Sequence, residues 1–109
     1  MRIISQNGTI DVPYEMSAIR NDDKLIILCM AGETGKGSVI ATYSTSEKAQ
    51  KAMEMLREQY SRLQVVKILA SGTCEHMEKS LSKDEFLECN LKYREMNIFQ
   101  FPQDEDVEV

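Results

Sequence analysis

The order of apolar and polar positions divides the chain into a first half with a period of two and a second half with the period of a helix. Arg2 to Ser5 and Thr9 to Val12 are short β-favouring segments around Gln6, Asn7 and Gly8, and Asn-Gly is the pair that most easily takes positive φ at both central positions of a type I′ turn. A hairpin is predicted here. Pro13 has no amide hydrogen for a ladder, so it ends the second strand or sits at a sheet edge. Glu15 to Arg20 supplies a third strand, Asn21, Asp22 and Asp23 bring turn chemistry, and the apolar run Leu25 to Ala31 forms the central strand. Gly32 to Gly37 is a glycine-rich turn, after which Val39 to Tyr43 returns as a strand of β-branched and aromatic character. These 43 residues predict an antiparallel meander of about five strands.

From Ser44 the period lengthens. Ser44 and Glu47 have the spacing of a capping box, in which hydroxyl and carboxylate satisfy otherwise orphaned amides at a helix start. Ala49, Ala52, Met53, Leu56, Tyr60 and Leu63 then fall on one stripe, with Lys48, Lys51, Glu54, Arg57 and Glu58 mostly opposite. The spacing predicts an amphipathic helix from about Thr45 to Gln64 that covers one face of the sheet. Val65 to Ala70 fits either a strand or more of the same helix, because a short apolar run does not separate the two by period. Ser71 and Gly72 read as a break. Ser82 and Glu85 repeat the capping-box spacing ahead of Phe86, Cys89 or Asn90, and Tyr93, a short second helix. Asn97 to Phe101 reads as a last strand stopped by Pro102. The fold class expected is therefore α+β, a single domain over residues 1–102, followed by an acidic, frayed tail over 103–109.

The length of 109 residues supports one core without disulfide or metal staples. A formal charge of -5, from 13 basic and 18 acidic residues, opposes general nucleic-acid binding, which needs clustered cations to release counterions. Asn7, Gly8 and Asp11 interrupt the apolar stretch an export signal would need. The longest apolar run, Leu25 to Ala31, is seven residues, far short of the roughly eighteen that a membrane helix requires. Three cysteines, Cys29, Cys74 and Cys89, show no framework spacing, which suits a reducing interior. A cytoplasmic protein with no membrane contact is expected.

Few residues carry candidate chemistry. Gly32-Glu-Thr-Gly-Lys-Gly-Ser38 has ingredients of a phosphate loop, but only Glu33 and Thr34 stand before the Gly-Lys pair, Gly37 separates Lys36 from Ser38, and a strand follows where a helix should. A hairpin turn is the better reading. Cys74 and His76, with Cys89 farther on, offer three soft ligands without the paired spacing of a zinc site. On a strand, Cys74 and His76 would share a side, close enough for an imidazole to activate a thiolate, yet no orienting third group is identifiable. Cys29 reads as a small core residue. No cofactor is called for. The acidic tail could mimic a nucleic-acid backbone for a basic partner, although terminal carboxylates more often serve solubility.

Three blocks together, Met1 to Glu15 (MRIISQNGTIDVPYE), Ala41 to Arg57 (ATYSTSEKAQKAMEMLR) and Asn97 to Val109 (NIFQFPQDEDVEV), resemble a family of short uncharacterised proteins from prophage-like or mobile regions of Gram-positive gut bacteria. The resemblance covers less than half of the chain and implies an origin, not a mechanism. It brings no catalytic residue.

One feature points to binding. An antiparallel sheet under one helix should be polar on its outer face, and Leu25 to Ala31 does not alternate. Either the Val65 to Tyr93 segment folds back over the second face or another chain does. Leu25, Ile27, Cys29, Val39, Ala41 and Tyr43 mark that candidate interaction surface, with a homo-oligomer or a host or phage protein as partner. The function expected is that of a non-enzymatic interaction or accessory module. The alternatives are a thiol- or metal-dependent protein centred on Cys74 and His76 and an acidic nucleic-acid mimic.

Overall fold

The Asn7-Gly8 pair does make a hairpin, though not the tightest one. In the computed structural model, which describes residues 1–30, 32, 35, 37–80 and 91–109, with backbone alone over 69–80, β1 (Arg2–Ile4) and β2 (Asp11–Pro13) pair antiparallel with Ile3 opposite Val12. The expected type I′ turn gives way to a six-residue loop. Gly8 alone takes positive φ, at 77°, and its N–H donates to the Ser5 carbonyl. The Asn7 Oδ1 accepts from Ser5 Oγ, Thr9 N–H and Thr9 Oγ1. A short amide that satisfies its own loop in this way competes with the tighter turn. Pro13 ends β2 at a sheet edge, as its missing donor requires.

After a 3-10 turn at Tyr14–Met16, β3 (Ser17–Asp22), β4 (Leu25–Met30) and β5 (Ser38–Thr42) form an antiparallel sheet with β4 in the middle. β6 (Ile98–Gln100) does not extend this sheet. It lies parallel to β1, with Phe99 beside Ile3, giving a separate sheet of order β2-β1-β6. The single meander is thus replaced by two three-stranded sheets. A parallel neighbour needs a crossover, and here everything between β1 and β6 in the chain supplies it.

α1 runs from Ser46 to Ser80, 35 residues or about 52 Å. Its start lies one residue beyond the expected capping box. Thr45 Oγ1 accepts the Lys48 N–H at 3.2 Å, while the Ser44 N–H donates to Asp104 Oδ1 at 2.7 Å. Val65 to Ala70 continues the helix, and Ser71 and Gly72 do not break it. A glycine inside a helix costs only about 1 kcal/mol, which neighbouring turns can absorb. Residues 91–96 form a short helix, α2. The expected cap at Ser82 and Glu85, together with Phe86, Cys89 and Asn90, lies outside the described residues, and Tyr93 is in α2.

The core lies between the sheets and α1. Ile3, Ile26, Leu28, Ile40, Ala52, Leu56, Leu63, Phe99 and Phe101 are all buried in it. The segment expected to fray is docked: Val107 is 3% exposed within the same core, and Asp104–Asp106 makes a 3-10 turn. The architecture is α+β.

One side chain joins the two sheets, and one glycine closes the β4–β5 loop within the second of them. Gln6 donates its backbone N–H to the Ile40 carbonyl at 2.8 Å and receives the Thr42 N–H on Oε1 at 3.0 Å, so that it stands in for a strand beside β5. Gly37, at φ 82°, closes the β4–β5 loop against β4. A Cβ there would sit 2.6 Å from both the Leu28 carbonyl and Cys29 Sγ. Gly37→Ala should therefore destabilise the fold by about 2–3 kcal/mol, since strained φ and a backbone clash add. Urea denaturation measures this, and Gly32→Ala, with positive φ but nothing within 4 Å, should cost less.

Candidate functional site

Strand pairing decides where the six sequence-predicted surface residues go. Along β4, Ile26 and Leu28 point into the core while Leu25, Ile27 and Cys29 alternate to the outer face. Across the sheet, Ile27 stands between Arg20 on β3 and Val39 on β5. It is nevertheless only 8% exposed, helped by the approach of Gly37. Leu25 is half-buried and Val39 is 51% exposed. Cys29 is not a core residue: its half-exposed thiol faces the Gly35 carbonyl at 3.9 Å on the outer side.

The remaining two are inside. The ladder slips by one residue between Ile26 and Ile27, so that Ile26 pairs with Ala41 and Ile27 with Val39. This bulge leaves Ile40 unpaired and turns both it and Ala41 into the core. Tyr43 is 2% exposed, and its hydroxyl donates to the Pro102 carbonyl at 2.9 Å. Burial pushes its phenol well above the usual range, with the nearby Asp104 carboxylate adding to the shift. The outer face of β3, β4 and β5 is accordingly a narrow apolar strip of Leu25, Ile27, Cys29 and Val39, flanked by the exposed Arg20 and Asp22 of β3.

Sequence reasoning overlooked a second apolar surface. Leu63 is the last α1 residue in the core among those described. Beyond it, after Gln64, Val65 and Ile68 are apolar residues one helical turn apart on α1. A surface helix is usually polar on the side it turns to water. Val65 is 56% exposed and Ile68 72%. The signal was the departure from the amphipathic stripe, masked by the ambiguity between helix and strand.

Clefts flank α1 among the described residues. One, of about 500 Å³, lies between α1 and the start of β3, with Ile19, Met53 and Leu56 along it and Tyr14, Tyr60 and Arg57 among its other lining residues. The two tyrosine rings meet at 4.5 Å. The other, of about 400 Å³, lies between α1 and α2, where Gln59 Nε2 donates to the carbonyls of Met96 and Ile98. Neither cleft brings a nucleophile and a base together among the described residues. Cys74 and His76 both fall on α1, where positions two apart stand about 200° round the axis, so the shared side expected of a strand does not apply. Their side chains and Cys89 lie outside the described residues, among which no group of metal-ligating side chains occurs.

Asp104 is occupied within the fold, which removes it from any displayed acidic surface. Its carboxylate accepts the Ser44 N–H and meets Lys48 Nζ at 3.4 Å. The Ser44 hydrogen bond, followed by Lys48, holds it below the usual carboxylate range. Glu15 is lowered too, first by the hydrogen bond from the Met1 amine at 2.7 Å. A carboxylate with a depressed folded pKa adds stability above its unfolded value, near pH 4, and loses it as pH falls through the folded value. Stability should therefore decline below about pH 4. Asp104→Asn should flatten that decline in urea midpoints between neutral and acid pH.

No family model, curated protein or solved structure matches the chain, and no described helix is long and apolar enough to cross a membrane.

Proposed function

We propose that the protein is a small, non-enzymatic interaction module of the cytoplasm, an accessory protein of a phage or mobile element that works by docking another protein. The observation that carries this reading is the pair of apolar side chains on α1 beyond Leu63, Val65 and Ile68, which are 56% and 72% exposed. Burying such side chains contributes about 25 cal/mol per Å² of apolar surface, and a contiguous apolar patch on a small protein marks a contact site. The outer strip at Val39 adds to it. The resemblance of the Met1–Glu15, Ala41–Arg57 and Asn97–Val109 blocks to short prophage-associated proteins supports the accessory role.

The test is site-specific photocrosslinking in the native host. A photoreactive residue at position 65 or 68 should give a discrete protein adduct, whereas one at Glu54, on the polar face, should not. Val65→Ser with Ile68→Ser should abolish binding of the partner so identified, as titrated with purified components, while leaving the melting temperature within a few degrees. Absence of any adduct specific to 65 or 68 would refute the α1 docking surface.

A further inference from the structure

Among the described residues, two three-stranded sheets have four edge strands, β2, β6, β3 and β5. Exposed edges template pairing with other chains, and proteins usually block them. Three are blocked here. β2 is three residues long and ends in Pro13; Gln6 takes the outward groups of Ile40 and Thr42 on β5; Gln59 takes the Ile98 carbonyl on β6.

β3 differs, being six residues long and regular. Its two-residue turn at Asp23 and Lys24, with Asp23 at φ 56°, makes Asp22 and Leu25 the closing hydrogen-bonded pair. Asp22, Arg20 and Ala18 then direct their backbone groups to β4, and Asn21 and Ile19 direct theirs outward. Among the described residues no backbone hydrogen bond reaches Ile19 or Asn21 from that side. On this same strand the Asn21 Oδ1 is buried and has no hydrogen-bond partner, a state that native structures rarely leave unexplained.

We propose that β3 is a self-pairing edge, joining two copies of this chain antiparallel about a two-fold axis through Asn21 and merging two three-stranded sheets into one of six. In that register Asn21 faces Asn21 of the second copy as a hydrogen-bonded pair, with Cα atoms about 5.5 Å apart. Each carboxamide NH₂ can donate to the other's Oδ1 once the two side chains turn toward the axis, since that oxygen is closed to solvent in a single copy. Arg20 faces Asp22 of the second copy, twice by symmetry, at the pair type where side chains approach more closely.

Neighbouring registers lack these features. An axis through Arg20 sets guanidinium against guanidinium, which is unfavourable. An axis through Ile19 sets Asp22 against Met16 and Arg20 against Ala18, so that no charge faces an opposite one across the axis. The charge order on the outer face and the orphaned amide on the inner face select the same register independently. The occupant is therefore a second copy, bound through a small isologous interface in the weak, reversible class.

This inference extends the interaction-module reading without using the α1 surface, so the two fail separately. Analytical ultracentrifugation over roughly 10–500 µM, the range where small interfaces associate, should show the wild-type chain passing from monomer to dimer. Arg20→Asp and Asp22→Arg each place like charges at both pairs and should each weaken association at least about tenfold. An equimolar mixture of the two variants restores opposite charges at both positions and should recover a heterodimer. A wild-type chain that stays monomeric throughout overturns the proposal whatever the variants do. Single variants that dimerise like the wild type, or a mixture of folded variants that fails to recover, also overturn it. Crosslinking from positions 65 and 68 is indifferent to all of these results.

Discussion

Phe101→Ala should lower stability by about 3–5 kcal/mol, the range for removing a fully buried aromatic ring. Phe101 is 1% exposed, packs edge-on against Phe99 with ring centroids 5.2 Å apart, and lies just after β6, its N–H donating to the Ile4 carbonyl. It therefore connects β6 and the C-terminal segment to the core that α1 shares. With small domains holding only about 5–15 kcal/mol in total, the melting temperature should fall by roughly 15–30 °C. Thermal denaturation followed by circular dichroism measures it. Ile98→Ala, on the same strand but 37% exposed, is the control and should cost far less. Similar losses at both positions would mean that the ring is not where the strand gains its stability.

The second large effect is expected at the C-terminal segment. Val107→Asp should cost about 3–5 kcal/mol, because it places an uncompensated charge in the core, where Val107 is 3% exposed. Val109→Asp adds the same charge two residues on, at a side chain 81% exposed, and should change stability by no more than about 0.5 kcal/mol. Chemical denaturation of both variants separates a docked segment from a frayed one: equal midpoints would restore the frayed tail. The contrast also bears on acidic mimicry, since a segment anchored through Val107 and Asp104 presents only part of its charge to a partner.

The hairpin, the central strand and the start of α1 were legible because each depends on residues close in sequence. Asn7 and Gly8 contain their own turn chemistry, Leu25 to Met30 its own apolar run, and Ala49 to Leu63 its own stripe. Even there the details moved by a residue: Thr45 became the cap because Ser44 was drawn to Asp104, 60 residues away. The candidate surface was only half legible. An apolar run shows that a strand is flanked by something, but the one-residue slip opposite Ile26 and Ile27, which sends Ala41 inward, depends on the register of another strand. Tyr43 was lost to the surface reading for a similar reason, since its acceptor is the carbonyl of Pro102.

The sequence by itself determined the α+β class, most of the strand segments and the first five turns of the main helix, all of which follow from local period, turn chemistry and composition. Tertiary structure alone decided that the strands part into two sheets, that β6 lies parallel to β1, and that the acidic end is docked. The physical reason is that pairing and burial are set by which distant groups satisfy one another. A run of side chains states what it must bury or bond, but the partner comes from elsewhere in the chain.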